Sequence, residues 1–218
     1  FKTYVVSSSS LTSIEDAKTV QLISSSNLGG DSTSANFTYS IWMYIDDWNY
    51  KYGEPKVVLG RMTSPTNPQF GIVLGAMQND LEISIDTYPS GEPEDSAAPG
   101  AVHNCNIKNI PIQKWVHCLV SLYGKSLDVY IDGKLVRTCI LPGVAKVENT
   151  TDVSITPMGG FSGFTSSFRY LPYATNPQEA YNIYKKGFGG SSLGSLFNKY
   201  RIKFVFLVDN QEQNTLEV

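Results

Sequence analysis

Two antiparallel sheets packed face to face, with one short helix near the C-terminus, are the fold this 218-residue chain predicts. Three observations carry it. FTYSIWMYI alternates strictly, with Phe37, Tyr39, Ile41, Met43 and Ile45 on one face and Thr38, Ser40, Trp42 and Tyr44 on the other. LDVYIDGKLVRTCILPG sets Asp132-Gly133 between two apolar runs, and that pair suits the positive φ angles of a type I′ hairpin turn. Many short runs of this kind follow one another with turn residues between them and almost no helical period, which indicates an all-β sandwich.

Taken in order, strands are expected at 37–45, 56–61, 70–76, 81–87, 102–107, 115–123, 127–131, 134–141, 153–156, 160–170 and 200–207. NPQEAYNIYKKG reads as the helix. Asn176 caps it, Pro177 suits its first turn, and Glu179 completes a capping box. Lys185 and Lys186 meet its negative end before Gly187. Its narrow stripe of Ala180, Ile183 and Tyr184 would lie across an end or edge of the sandwich as a plug. Residues 7–10, 24–34 and 187–195 are Ser/Gly-rich loops, GFGGSSLG lacking the Lys-Ser/Thr of a phosphate loop, and YPSGEPEDSAAPG is the longest irregular one.

Composition limits the function classes. At 41% hydrophobic and 12% aromatic the chain can fill one large core, and its net charge of −3 argues against general nucleic-acid binding. The charge is segregated. Residues 62–107 hold Asp80, Glu82, Asp86, Glu92, Glu94 and Asp95 with no Lys or Arg, whereas Lys185, Lys186, Lys199, Arg201 and Lys203 lie between Glu179 and Asp209 with no acid. Such polarity suits docking to a neighbouring protein or to another copy. With no apolar run of about 18 residues, membrane attachment would need an anchor outside this chain, and the start at Phe1 leaves room for one upstream.

Cys105, Cys118 and Cys139 give an odd count without metal-ligand spacing. Cys118 and Cys139 fall at opposite ends of the expected ladder, too far apart to bridge. Cys105 with Cys118 is open to pairing if the chain reverses near Pro111, and three reduced thiols are the expectation for a protein made in the cytosol.

The order of FTYSIWMYI, then IQKWVHCLVSLYGKSLDVYIDGKLVRTCILPG, then ITPMGGFSGFTSSFRYLP resembles the laminin-G-like, or concanavalin A-like, jelly-roll domains over residues 20–173. With NPQEAYNIYKKG and a further C-terminal strand, the chain is most similar to the copies carried by large DNA viruses of algae and amoebae. That resemblance implies a single domain over 1–218, with 174–218 a helix-plus-strand extension packed on it. It also implies a non-catalytic structural component of the virion, a minor capsid or membrane-associated protein in contact with capsid neighbours. The alternative it implies is a lectin-like module for host glycans, extracellular or on a cell surface.

Enzymes also share the fold. Those that cleave β-glucans set E-x-D-x-x-E on one strand, and here the matching run is Glu82-Ile83-Ser84-Ile85-Asp86-Thr87, with two of the three acids displaced. Glu82 and Asp86 stand roughly 13 Å apart along a strand, beyond the spacing glycosidases use. His103 and His117 have no Ser or Cys partner in a nucleophile motif, since Cys118 points to the face opposite His117. No catalytic residue is therefore assigned. For glycan or partner binding the candidates are Trp48, Tyr50 and Tyr52 with Glu92, Glu94 and Asp95; for partner contact they are Lys185, Lys186, Lys199, Arg201 and Lys203. No cofactor is required, calcium being the one ion that Asp46, Asp47 and the 92–95 acids would suit. Asn36 and Asn149 fit the glycosylation acceptor pattern.

Overall fold

A computed structural model describes residues 13–28, 36–64, 67–89, 101–148, 150–189, 203–208 and 211–217. Its strands are β1 (Glu15–Asp16), β2 (Gln21–Ile23), β3 (Phe37–Asp47), β4 (Lys56–Ser64), β5 (Asn67–Leu74), β6 (Leu81–Thr87) and β7 (Ala101–Ile107). They continue with β8 (Trp115–Tyr123), β9 (Ser126–Ile131), β10 (Lys134–Ile140), β11 (Val153–Ile155), β12 (Ser162–Leu171), β13 (Lys203–Val208) and β14 (Gln211–Glu217). The helix, α1, is Pro177–Lys185. A first sheet runs β1-β12-β3-β8-β9-β10 and a second β2-β11-β4-β5-β6-β7, while β13 and β14 pair with each other. The expected sandwich is thus present, with β1, β2 and β14 added to the strands read from sequence.

One side of each sheet makes the core. Phe37, Tyr39, Ile41, Met43 and Ile45 from β3 meet Phe70, Ile72, Leu74, Leu81, Ile83 and Ile85 from β5 and β6, all buried. Tyr39 and Phe70 stack at 4.7 Å. Arg61 is buried with them. Its guanidinium donates to the Tyr39 hydroxyl and, at 2.6 Å, to the Glu148 carbonyl, so hydrogen bonds offset the cost of removing the charge from water.

The Asp132-Gly133 turn forms as expected, with φ of 49° and 73°. Gly133 is fixed twice over, because a Cβ there would also come within 2.9 Å of the Tyr184 ring on α1. The helix cap matches too, as the Glu179 N–H donates to the Asn176 side chain at 2.9 Å. Glu179 closes no capping box, because its carboxylate accepts from the Tyr173 hydroxyl at 2.8 Å. Nor is α1 a plug across an end or edge of the sandwich. It lies on the outer face of the first sheet, where Ala180 and Ile183 bury against Leu119, Tyr130 and Leu171.

The thiols pair otherwise than expected: Cys105 and Cys139 form a disulfide, and Cys118 is buried and free. Within one continuous ladder Cys105 and Cys139 have no reason to meet. Here β7 and β10 are the edge strands of different sheets, so the bond clamps the two sheets at their shared edge. Cys118 sits in the core on β8, opposite Ile41 and Ile131, and burial, helped by Asp132, pushes its thiol pKa up to about 12.

Candidate functional site

The outer face of the first sheet is built in rows, since residues directly opposite each other on antiparallel strands share a face. One row is Leu171, Thr38, Ser121 and Asp128; the next is Arg169, Ser40, Leu119 and Tyr130. Ser166, Trp42 and His117 follow, and the last row is Asp16, Phe164, Tyr44 and Trp115.

Residues 172–189 roof the first three rows. Before the helix, the Thr175 N–H donates to Ser121 Oγ at 2.9 Å and to Thr38 Oγ1 at 3.1 Å. After it, the Phe188 carbonyl accepts from Ser166 and Ser167 at 2.6 and 2.9 Å. Between these ties Tyr184 stacks on Trp42 at 5.5 Å. The roof explains why the polar side of β3 is buried at Thr38, Ser40 and Trp42. It also covers His117, whose Nε2 lies 2.8 Å from Ser40 Oγ. Sequence reading gave this histidine no serine partner; the contact depends on the β3–β8 register. Burial first, then the nearby Arg169 charge, holds the His117 pKa down to about 3, so the ring is neutral. Asp132 touches only the His117 main chain, its carboxylate accepting from the N–H at 2.9 Å, so no triad is assembled.

The fourth row lies at the edge of the roof, which reaches it only through Phe188 on Trp115. Phe164 is 43% exposed, Tyr44 and Trp115 are half-buried, and Asp16 is exposed at the row's end. The rings stand side by side, Phe164 to Tyr44 at 6.3 Å and Tyr44 to Trp115 at 5.8 Å, with Phe188 stacked on Trp115 at 4.3 Å. Gly163 makes the row possible: at φ 146° it passes so close to Tyr44 that a Cβ would fall 1.9 Å from the Tyr44 carbonyl oxygen. An aromatic floor with a carboxylate at one end presents apolar surface to a sugar face and an acceptor to its hydroxyls.

The loop aromatics are arranged differently. Trp48 packs against the core with the Lys56 ammonium 4.9 Å above its ring, and the Tyr50 hydroxyl donates to the Gly159 carbonyl at 3.0 Å. Of the three only Tyr52 stands out, at 60% exposure. Glu92, Glu94 and Asp95 lie outside the described residues, but their loop is rooted at Thr87 and Ala101. The 48–52 loop neighbours the opposite end of β6, where the Gly53 N–H donates to the Ala76 carbonyl at 3.0 Å. The two halves of the sequence-derived site are therefore rooted at opposite ends of β6.

Lys185 and Lys186 are exposed at the end of α1. Lys199 and Arg201 lie outside the described residues, and for Lys203 only its place at the start of β13 is described. Asn149 lies outside them as well; Asn36 Oδ1 accepts from the Gly124 N–H at 2.8 Å. Glu82, Ser84 and Asp86 share the outer face of the second sheet, where burial raises the Asp86 pKa against the opposing pull of Lys146. Among the described residues no three His, Cys, Asp or Glu side chains cluster as metal ligands, and Asp47 already accepts from the Asn49 N–H at 2.9 Å. No described helix is long and apolar enough to cross a membrane.

A two-sheet antiparallel sandwich of this kind hosts many unrelated functions, so the fold defines a class and not an activity. Residues 17–180 match the model of the concanavalin A-like lectin/glucanases superfamily, laminin G type, and the chain belongs to that family. Compared by sequence with curated proteins, it has no match. Among solved structures it is similar to the receptor-binding domain of botulinum neurotoxin D, at 10% identity and a TM-score of 0.55, over 79% of this chain and 47% of that one. It is also similar to the botulinum neurotoxin DC binding domain solved with SialylT, at 13% identity and TM-score 0.51, over 68% and 35% of the two chains. The same domain solved with rat synaptotagmin II gives 12% and 0.52, over 71% and 36%. The chain spans less than half the length of each of these, and at such identities the likeness is one of fold.

Proposed function

We propose that this chain is a non-catalytic carbohydrate-binding module that works outside the cytosol, with the row Asp16, Phe164, Tyr44 and Trp115 as its contact surface. The observation that carries the reading is the row itself, three partly exposed rings in register on adjacent strands. Rings stack on the apolar faces of sugars, and Asp16 accepts from hydroxyls. The Cys105–Cys139 disulfide suits an oxidising, extracellular setting. Neurotoxin binding domains of this fold, one of them solved with SialylT, are consistent with a recognition role. Against catalysis stand the wide separation of Glu82 and Asp86 along β6 and the enclosure of His117 beneath the roof.

A structural role in the virion of a large DNA virus, in contact with capsid neighbours, is the second reading. It is favoured by exposed Lys185 and Lys186 on the first-sheet side and Asp80, Glu82 and Asp86 on the second, a polarity suited to docking. In that setting residues 1–218 act as one unit with 174–218 as its extension, and any membrane attachment comes from outside the chain.

A glycan array, run with and without calcium, tests the first reading. The expected result is saturable binding to a subset of sugars, lost in Phe164→Ala with the melting temperature unchanged. Binding to no sugar, together with retention of the protein at fixed stoichiometry in detergent-stripped virus particles by mass spectrometry, would replace it with the second.

A further inference from the structure

At the end of β12 away from Phe164, a cavity of about 270 Å³ opens between that strand and the helix. Its wall includes Arg169, Leu171 and Tyr173 from the sheet side and Glu179, Asn182, Ile183 and Lys186 from the helix side. At about 30 Å³ for each water-sized group, it holds about nine non-hydrogen atoms.

Arg169 is the unusual member. Its guanidinium is half-buried, and burial lowers its pKa, yet among the described residues it has no ion pair or hydrogen bond. Nothing beside it on the sheet neutralises it, because Ser40 in its own row is uncharged and His117 in the next row is a neutral ring. Lys186 shares the cavity and, among the described residues, also lacks an ion pair. Glu179 is the one acid in the wall; it is engaged by the Tyr173 hydroxyl and pairs with neither cation. The chain beyond the helix supplies no other acid before Asp209. Asn182 uses its Oδ1 to accept from Gln178 at 3.1 Å, which leaves its amide N–H groups as donors.

The geometry points to an anion-binding pocket that takes a carboxylate carried on a small ring. The Arg169 fork receives the carboxylate, Lys186 and Asn182 flank it, and the ring lies against Tyr173 and the small exposed edges of Leu171 and Ile183. A partly desolvated guanidinium without a counter-ion is unfavourable, and a planar, bidentate acid satisfies it better than water or chloride does. This site is separate from the aromatic row, so either can fail while the other stands.

The test titrates the intact protein with sodium benzoate and sodium cyclohexanecarboxylate, each of nine non-hydrogen atoms and each paired with its neutral counterpart, benzamide and cyclohexanecarboxamide. The readout is the Arg169 Nε–H and Asn182 side-chain amide NMR signals. Saturable shifts with at least one acid, and binding at least tenfold weaker for its neutral counterpart, are expected. The acid that binds tells whether the ring is flat and aromatic or puckered and saturated. Arg169→Gln should abolish binding, and Lys186→Gln, at an exposed position, should weaken it about threefold and reduce its salt dependence. The pocket is refuted if neither acid shifts those signals by about 50 mM, well above a 1 mM Kd. It is refuted equally if acid and neutral compound bind alike, or if a folded Arg169→Gln retains full affinity. Should Arg169→Gln fail to fold, unchanged affinity in Lys186→Gln refutes it.

Discussion

Trp42 and Tyr44 are two residues apart on β3 and point to the same side of the same sheet, yet they have different surroundings. Trp42 is buried under Tyr184 and Phe188; Tyr44 is half-exposed between Phe164 and Trp115. The boundary between them is the edge of the roof made by residues 172–189. On the covered side an outer face has become a second small core, with hydroxyls tying the strap down. On the open side the same alternation leaves aromatic rings beside an exposed carboxylate. What a strand's outward residues do is thus decided by whether another segment lies across them.

The covered side should be costly to damage. Trp42→Ala removes a buried indole with three aromatic neighbours and is expected to lower stability by about 3–5 kcal/mol in urea unfolding. Phe164→Ala on the open side should change it by less than about 1 kcal/mol. Equal losses would erase the contrast between the two.

The clamp between the sheets comes next. The disulfide joins residues 34 apart, so replacing Cys105 and Cys139 with Ser should cost about 3–4 kcal/mol. Cys118 should resist alkylation until the protein unfolds, because it is buried and its thiolate is disfavoured at neutral pH.

A third effect is proton-linked. His117 has its pKa held down to about 3 in the folded protein, against about 6.5 when unfolded. The unfolded chain therefore takes up a proton below about pH 6.5 that the folded chain refuses. The stability this histidine contributes above that pH falls as the pH drops, by about 2 kcal/mol between pH 7 and pH 5. His117→Asn should flatten that dependence, even if it lowers stability overall. An unchanged slope in the variant would mean that the ring is not enclosed as described.

Much of the fold was legible because it is local. The Asp132-Gly133 turn, the alternation of β3 and the Asn176 cap are each written within a few neighbouring residues, and each appears in place. The stripe of Ala180 and Ile183 announces burial but not the surface that buries it, so an end or edge of the sandwich suits it as well as the outer face it covers. The disulfide was missed because Cys105 and Cys139 meet only when the edges of two sheets meet. The aromatic row depends on the register of four segments far apart in sequence, one of them the two-residue strand β1. The cluster Trp48-Asn49-Tyr50-Lys51-Tyr52 is legible because it is contiguous, but its sequence does not show that Trp48 packs against the core and that Tyr50 is tied to Gly159.

The three tryptophans allow the central claim to be read directly. Trp42 lies under the roof, Trp48 against the core beside the 48–52 loop, and Trp115 in the open row. Titration with the strongest glycan from the array, followed through the three indole N–H signals by NMR, should shift the Trp115 signal while Trp42 and Trp48 stay in place. A shift at Trp48 with Trp115 unmoved would contradict the account and return the binding site to the loop.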